Sequence, residues 1–218
     1  QYSSATQYYD YALPSVFSTT QSGTFTDGST NTAVQAMTSV TATPKFTYKA
    51  ANGFTYYSDS TTSTSFNGTL YKILGDIGDD AGSPVATSVT TTSGGASADL
   101  STGIIWMPTS TTAITWLDTS DDSTGTVNIA SFTPSIPNIA ANLCRIAALD
   151  GNLLVRPTQN SAYIVNLADN TTKELSYLVD GTVNKSPLGL SKRSDGNYVG
   201  SAIKSDGNLL TVEFNNFT

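Results

Sequence analysis

The chain has 218 residues, enough for one substantial core, with a formal net charge of −7 and only 12% charged residues. This acidic balance excludes nucleic acid as a partner, because phosphate backbones require clustered Lys and Arg. The chain has no His and one Cys, which removes the commonest general base, an internal disulfide and a multi-cysteine metal site. We therefore expect no catalytic residue set and no enzyme activity. No apolar run reaches the length of a membrane-spanning helix, so no membrane insertion is expected.

Residues 1–45 match no later part of the chain and are predicted to form an extended N-terminal arm. The arm opens with four tyrosines, which are Tyr2, Tyr8, Tyr9 and Tyr11. Tyrosine contributes a large contact area at a modest entropic cost and is enriched at protein interfaces. We expect these tyrosines to mediate assembly, and the alternative is that the arm packs on its own domain. Since the chain begins at Gln1 and not at Met, we expect either removal of a leading segment or a longer product.

From Phe46 onward the chain repeats one short pattern four times. The copies cover about 46–96, 97–144, 145–188 and 189–218. A period of roughly 45–50 residues is typical of a supersecondary unit that stacks on copies of itself. In each copy a first strand ends at a turn glycine that supplies the positive φ of a tight hairpin. These glycines are Gly53, Gly103, Gly151 and Gly196.

Each turn glycine is followed by a second strand and then by a more apolar third strand. The second strands are predicted at Phe54–Tyr57, Ile104–Met107, Leu153–Arg156 and Tyr198–Ser201. The third strands are predicted at Leu70–Leu74, Ile114–Leu117, Tyr163–Leu167 and Leu209–Phe214. Fourth, more polar strands are predicted in three copies, at Val85–Thr91, Val127–Phe132 and Lys173–Val179.

A repeated meander of four antiparallel strands resembles the blades of a β-propeller. The resemblance covers about residues 46–218 and depends on turn spacing. It implies an all-β fold in which about four antiparallel meander repeats form a small or partial propeller. The fourth copy lacks a fourth strand, so a segment within Thr32–Thr43 is expected to pair with Leu209–Phe214 and close a ring. The alternative is an open arc of four sheets that is completed by another subunit or by residues outside this sequence.

Two acidic turns that follow third strands share the spacing D-x-x-D-D. Their aspartates are Asp76, Asp79 and Asp80 in the first copy, and Asp118, Asp121 and Asp122 in the second. Clustered carboxylates on a loop can bind Ca²⁺, and no other cofactor is predicted. The alternative is that these residues only build turns. Carboxylate pairs also suit glycoside hydrolysis, but exposed carboxylates stay ionised and a general acid needs a raised pKa.

Two further features have a functional and a plainer interpretation. Glycosylation sequons begin at Asn67, Asn170, Asn184 and Asn216, although a composition rich in Asn, Ser and Thr produces such matches by chance. Cys144 is either a reactive thiol or a small apolar residue of a core strand, and the second is favoured.

The composition is similar to that of phage tail and fibre proteins, surface-layer proteins and extracellular filament subunits. This resemblance implies a non-enzymatic structural or assembly protein, extracellular or on a virion surface, which self-associates through its arm and β edges. The alternative is a lectin-like adhesin in which Trp106, Trp116, Tyr56, Tyr57 and Tyr163 stack on cell-surface glycans. Trp106 and Trp116 lie in strands with apolar neighbours, so their packing in the core is the favoured interpretation of these two rings. A propeller-type enzyme acting on glycosides is the third hypothesis.

Overall fold

A computed structural model describes residues 21–24, 30–34, 46–58, 66, 68–75, 84–91, 95–158, 161–175, 188–203 and 209–214. Its secondary structure is almost entirely antiparallel β, with a short 3-10 helix at Ile129–Ser131. Within these ranges no helix has the length and apolar character required to cross a bilayer. The predicted fold class, an all-β chain of about four meander repeats, is confirmed.

In the described part of the chain the strands form one hairpin and four meander sheets. The hairpin pairs β1 (Gln21–Thr24) with β2 (Thr30–Val34). Sheet 1 contains β3 (Thr47–Lys49), β4 (Phe54–Ser58), β5 (Gly68–Leu74) and β6 (Val85–Thr91). Sheet 2 contains β7 (Ser97–Asp99), β8 (Ile104–Ser110), β9 (Ala113–Asp118) and β10 (Thr124–Asn128). Sheet 3 contains β11 (Arg145–Leu149), β12 (Asn152–Thr158), β13 (Ser161–Asn166) and β14 (Thr171–Glu174). Sheet 4 contains β15 (Leu188–Lys192), β16 (Tyr198–Ile203) and β17 (Leu209–Phe214).

The turn between the first and second strands is the most regular feature of the repeat. All four predicted turn glycines have a left-handed φ, between 72° and 90°. In sheet 3 the loop has only two residues, Asp150 and Gly151, with φ values of 52° and 72°. Two consecutive positive φ angles are those of a type I′ turn, whose twist matches the flanking strands. The sequence prediction of these hairpins is therefore confirmed.

The core lies between consecutive sheets, because alternate side chains of a strand point to opposite faces. Ile105 and Met107 of β8 pack against sheet 1, whereas Trp106 packs against sheet 3. Leu154 of β12 contacts sheet 4, and its neighbours Leu153 and Val155 contact the cluster between sheets 2 and 3. Sheets 2 and 3 are therefore buried on both faces, which explains their long apolar runs. Burial of one such side chain stabilises the fold by about 1.5–3 kcal/mol.

The connection from β10 to β11 differs from the prediction. A strand was expected over Val127–Phe132, but β10 ends at Asn128 and a 3-10 helix follows. The Asn128 side chain accepts a hydrogen bond from Ala130 N and so caps this helix. The capped turn directs two apolar residues into the core, where Ile129 and Phe132 are both 2% exposed. The fourth strand of sheet 3 also starts earlier than expected, at Thr171, and part of the predicted Lys173–Val179 lies outside the described residues.

Residues 129–144 then cross from sheet 2 to sheet 3 and bond to both. Ile139 N donates to Thr111 O at 2.7 Å, and Ala140 N donates to Pro157 O at 2.8 Å. The connection also contributes the buried side chains of Ile136, Ile139 and Cys144 to the core between the two sheets. Residues 129–144, which we call the connecting segment, therefore pack between sheets 2 and 3 and hold them together.

The ring-closing strand stays a prediction. In the described part of the chain, β17 is paired with β16. Thr30–Val34, which includes the start of the proposed closing segment, is paired with β1. Residues 35–43, the remainder of that segment, lie outside the described residues.

Candidate functional site

The structure describes only some of the residues singled out by sequence. The described site candidates are Asp118, Asp121, Asp122 and Asn170. Those outside the described residues are Asp76, Asp79, Asp80, Asn67, Asn184, Asn216 and the arm tyrosines Tyr2, Tyr8, Tyr9 and Tyr11. Asn170 lies in the turn between β13 and β14 with a φ of 59°, and its glycosylation stays a prediction.

The acidic turn after β9 uses its carboxylates to build the turn. Asp118 Oδ1 accepts hydrogen bonds from the N and Oγ of Ser120, at 2.8 and 2.7 Å. Asp121 Oδ1 accepts one from Ser123 N at 2.9 Å, and hydrogen bonds from Ser123 lower the pKa of Asp121. Among the described residues no three His, Cys, Asp or Glu side chains converge as metal ligands. The calcium site stays a prediction, because Asp76, Asp79 and Asp80 lie outside the described residues.

Asp122, the last aspartate of this turn, reaches across to sheet 1. Its Oδ1 accepts a hydrogen bond from the Tyr56 hydroxyl at 3.0 Å, and its Oδ2 forms an ion pair with Lys72. Asn52 Nδ2 donates to the same Tyr56 hydroxyl at 3.1 Å and to the carbonyl of Thr119. We call this network of five residues the first seam. An open cavity of about 210 Å³ lies beside it, lined by Lys72, Asp122 and residues 85–88 of β6.

Burial raises the pKa of Tyr56 to about 12, although the hydrogen bond from Asn52 opposes this shift. The Tyr56 hydroxyl is therefore protonated at neutral pH and acts as a donor to Asp122. A general base needs a pKa near the operating pH, so this tyrosine does not have the properties of one.

A second seam joins sheets 2 and 3 through Ser97 and Asp99 of β7. Asp99 is fully buried, and its Oδ2 accepts a hydrogen bond from Gly151 N at 2.8 Å in the turn of sheet 3. Ser97 Oγ accepts a hydrogen bond from Ala148 N at 3.1 Å. Burial opposes ionisation of Asp99, yet the hydrogen bonds from Gly151 and Ser101 outweigh it, so the pKa of Asp99 is lowered.

A third seam joins sheets 3 and 4 around Asp150. Its Oδ2 is 2.9 Å from Lys192 Nζ, and Asn152 Nδ2 lies 3.3 Å from the Tyr198 hydroxyl. The Lys192 Nζ also sits 5.3 Å from the centroid of the Tyr198 ring. The hydrogen bond from Lys192 lowers the pKa of Asp150. Both side chains are partly exposed, so the ion pair adds little to the stability of the fold. Its main effect is to fix the position of sheet 3 relative to sheet 4.

The three seams were missed by sequence reasoning. The sequence analysis considered Tyr56 only as a residue that could stack on sugars, and the turn at Gly151 only as a tight hairpin. The contacts that make a seam join residues far apart in sequence, 66 positions for Tyr56 and Asp122 and 52 for Asp99 and Gly151. The available signal was the recurrence of Asp or Asn beside the turn glycines, at Asn52, Asp150 and Asn152.

The aromatic residues proposed to stack on sugars belong to the core. Four of them, Tyr56, Tyr57, Trp106 and Tyr163, are buried, with exposures of 0–9%. Trp116 is half-buried, and its ring covers Gly125 on the neighbouring strand, where any Cβ would clash with the indole. The structure therefore supports core packing of Trp106 and Trp116, and it places Tyr56, Tyr57 and Tyr163 in the core as well.

Cys144 is also a core residue. Its thiol is fully buried just before β11, and burial raises its pKa to about 12. A reactive cysteine needs an exposed thiolate, so the plainer interpretation holds here too.

The comparisons with known proteins do not assign a family. No protein-family model matches the chain, and no curated protein is detectably similar in sequence. The extracellular domain of a one-component system from Bacteroides thetaiotaomicron aligns at 11% identity and a TM-score of 0.45, over 78% of this chain and 25% of that one. The extracellular domain of a hybrid two-component system from the same organism aligns at 12% and 0.46, over 77% and 23%.

Glutaminyl cyclase from Myxococcus xanthus aligns at 15% identity and a TM-score of 0.42, over 75% of this chain and 70% of that one. The chain spans about a quarter of the length of the two extracellular domains. All three scores lie below 0.5, and none of these structures bears on function.

Proposed function

We propose that the chain is a non-enzymatic structural and assembly protein, extracellular or on a virion surface, which self-associates through its N-terminal arm and β edges. The observation that carries the proposal is the use of the polar side chains at the three seams. Asp99, Asp122 and Asp150 each bond to the neighbouring sheet. Each of these carboxylates therefore joins two neighbouring sheets.

The composition of the fourth strands of sheets 1–3 supports a location outside the cytoplasm. The fourth strands of sheets 1–3 are rich in Thr, and Thr90, Thr124 and Thr171 are exposed. The hydration of a surface covered by hydroxyl groups depends little on pH or salt, and this suits an unbuffered environment. The buried Cys144 leaves no accessible thiol in the described residues.

Assembly can be measured directly on the purified full-length chain. Light scattering after gel filtration, together with negative-stain electron microscopy, should show species larger than a monomer whose mass grows with concentration. Replacing Tyr2, Tyr8, Tyr9 and Tyr11 by Ser should reduce that mass, because aromatic contact area is lost. The matched control replaces the same four residues by Phe, which retains the rings and should retain assembly. A chain that stays monomeric at every concentration would overturn the proposal.

A further inference from the structure

The open cavity beside the first seam lies between sheet 1 and the acidic turn of sheet 2. Its volume is about 210 Å³, somewhat below the roughly 300–1,000 Å³ of most small-molecule sites. Two oppositely charged side chains, Lys72 and Asp122, form one part of its wall, and residues 85–88 of β6 form another. The buried residue Leu117 completes the lining. The cavity therefore combines a few polar groups with apolar surface, as small-molecule sites do.

The β6 wall of this cavity is formed by a β-bulge. The ladder between β5 and β6 shifts register there, so that residues 87–89 of β6 face Leu70 alone. The Thr87 hydroxyl donates to Leu70 O at 2.7 Å and so bonds the bulge to β5. Bulges are frequent beside functional sites because they redirect side chains. Here the bulge places Thr87 and the exposed Ser88 at the cavity.

The two charges on the cavity wall are held in position by their neighbours. Asp122 has a left-handed φ of 61°, and its Oδ1 accepts a hydrogen bond from the Tyr56 hydroxyl at 3.0 Å. Asn52 Nδ2 donates to the same hydroxyl at 3.1 Å. Lys72 Nζ lies 4.8 Å from the centroid of the Phe54 ring and forms an ion pair with Asp122. Both charged groups are therefore oriented before any ligand arrives.

Folding stability alone does not account for this arrangement. The side chains of Lys72 and Asp122 are 18% and 46% exposed, and an ion pair at the surface contributes little to stability. Three other side chains nevertheless position the pair beside an open cavity. Polar groups that are fixed in advance lower the entropic cost of binding a ligand. The pair therefore has the properties of a binding group as well as those of a seam.

The groups on the wall select the class of ligand. The opposite charges of Lys72 and Asp122 offset each other, so an ion of either sign gains little net attraction. Hydroxyl groups suit the pair, because a hydroxyl can donate to Asp122, accept from Lys72 and do either with Ser88. Val85 is 52% exposed, and the exposed Ala86 lies beside it, so both offer apolar contact to C–H groups. A sugar ring presents both kinds of group.

We infer that this cavity binds a single neutral sugar ring, with Asp122 and Lys72 as the charged hydrogen-bonding groups and Ser88 as a third polar contact. Sugar binding is an activity beyond the proposed assembly role and does not depend on it. The site uses no aromatic platform, and it therefore differs from the ring-stacking site that was expected from the sequence.

Nuclear magnetic resonance of the isotope-labelled full-length chain tests the site. The probes are the methyl glycosides of glucose, galactose and mannose, each titrated separately. At least one should shift the backbone amide signals of Ser88 and Asp122 saturably. The dissociation constant should be on the order of 1 mM, because a small ligand in an open cavity makes few contacts. The absence of a saturable shift with all three glycosides would overturn the inference.

Two charged probes test the class of ligand. Sodium acetate and ethylammonium chloride each match one charge of the wall and should give no saturable shift of the Ser88 and Asp122 signals. Saturable binding of either ion without binding of a glycoside would show that the cavity selects charge and would overturn the inference.

Asp122→Asn removes the charge and retains an acceptor for Tyr56. It should weaken glycoside binding on the order of tenfold, since hydrogen bonds to a charged group are stronger than neutral ones. The matched control is Asp121→Asn, an exposed residue of the same turn whose hydrogen bond stays within that turn, and it should leave binding unchanged. A dispersed spectrum establishes that each variant is folded. Equal affinity of the two variants would contradict the role of Asp122.

Ser88→Ala gives a second test that leaves the seam intact. Loss of one hydroxyl contact should weaken glycoside binding about fivefold. Thr90→Ala is the matched control at another exposed position of β6 and should leave binding unchanged. Unchanged affinity in Ser88→Ala would place the ligand outside the cavity and would overturn the inference.

Discussion

The junction between sheets 1 and 2 and the junction between sheets 2 and 3 use polar groups in opposite ways. In the first seam, side chains bond mainly to side chains, Asp122 is 46% exposed, and a cavity of about 210 Å³ lies alongside. In the second seam, the fully buried Asp99 accepts from a backbone amide, and the connection 129–144 fills the junction with apolar side chains. We therefore expect the junction between sheets 2 and 3 to be rigid and the junction between sheets 1 and 2 to deform more easily.

The largest expected effect is loss of the Asp99 carboxylate. Asp99→Ala leaves Gly151 N and the Ser101 donors without their buried acceptor and should lower the free energy of unfolding by about 3 kcal/mol. Urea unfolding followed by circular dichroism measures this loss. The matched control is Asp121→Ala, an exposed aspartate whose hydrogen bonds stay within its own turn, and its midpoint should not change. An effect of Asp99→Ala no larger than that of the control would contradict the role of the second seam.

The same carboxylate should make stability depend on acid. The folded pKa of Asp99 lies below its ordinary value of 3.8. Its contribution is therefore present above pH 3.8 and is lost as the pH falls through the folded pKa. The stability difference between the parent chain and Asp99→Asn should be constant above about pH 5 and should shrink below pH 3.8. Urea midpoints of both proteins across this range provide the measurement, and a constant difference down to acid pH would contradict the assignment.

The smallest effect is expected at the first seam. Tyr56→Phe removes the hydroxyl that links Asn52 and Asp122 and should cost about 1 kcal/mol. Because the folded pKa of Tyr56 is about 12 against an ordinary 10, its contribution is present below pH 10 and is lost as the pH rises towards 12. The stability of the parent chain should therefore fall above pH 10 more steeply than that of Tyr56→Phe. Parallel slopes would contradict a protonated Tyr56 in the seam.

Sequence alone predicted the local geometry of the repeats well. Two strands, β6 and β17, have the predicted bounds, and all four turn glycines have the positive φ that was expected. These features depend on residues that are close in the chain, such as period-2 alternation and the requirement for glycine in a tight hairpin.

The seams and the connecting segment, residues 129–144, could not be predicted in the same way. The apolar residues of the connection, Ile129, Phe132, Ile136 and Ile139, follow neither a helical nor a strand period. Their burial depends on the gap between two sheets, which no local pattern encodes. The partners of Asp99 and Tyr56 likewise depend on how the sheets stack. A turn residue such as Asp122 is explained by its turn alone, so the sequence gives no reason to expect a partner in another sheet.

Hydrogen exchange at two turn glycines tests most directly the claim that the buried carboxylate of Asp99 joins sheets 2 and 3. Gly151 and Gly196 occupy equivalent hairpin turns and are similarly half-exposed, but Gly151 N donates to Asp99 of the neighbouring sheet and Gly196 N to Arg193 O of its own turn. We predict that the Gly151 amide exchanges far more slowly than the Gly196 amide and loses this protection in Asp99→Ala. Equal exchange at the two glycines in the parent chain would contradict the account.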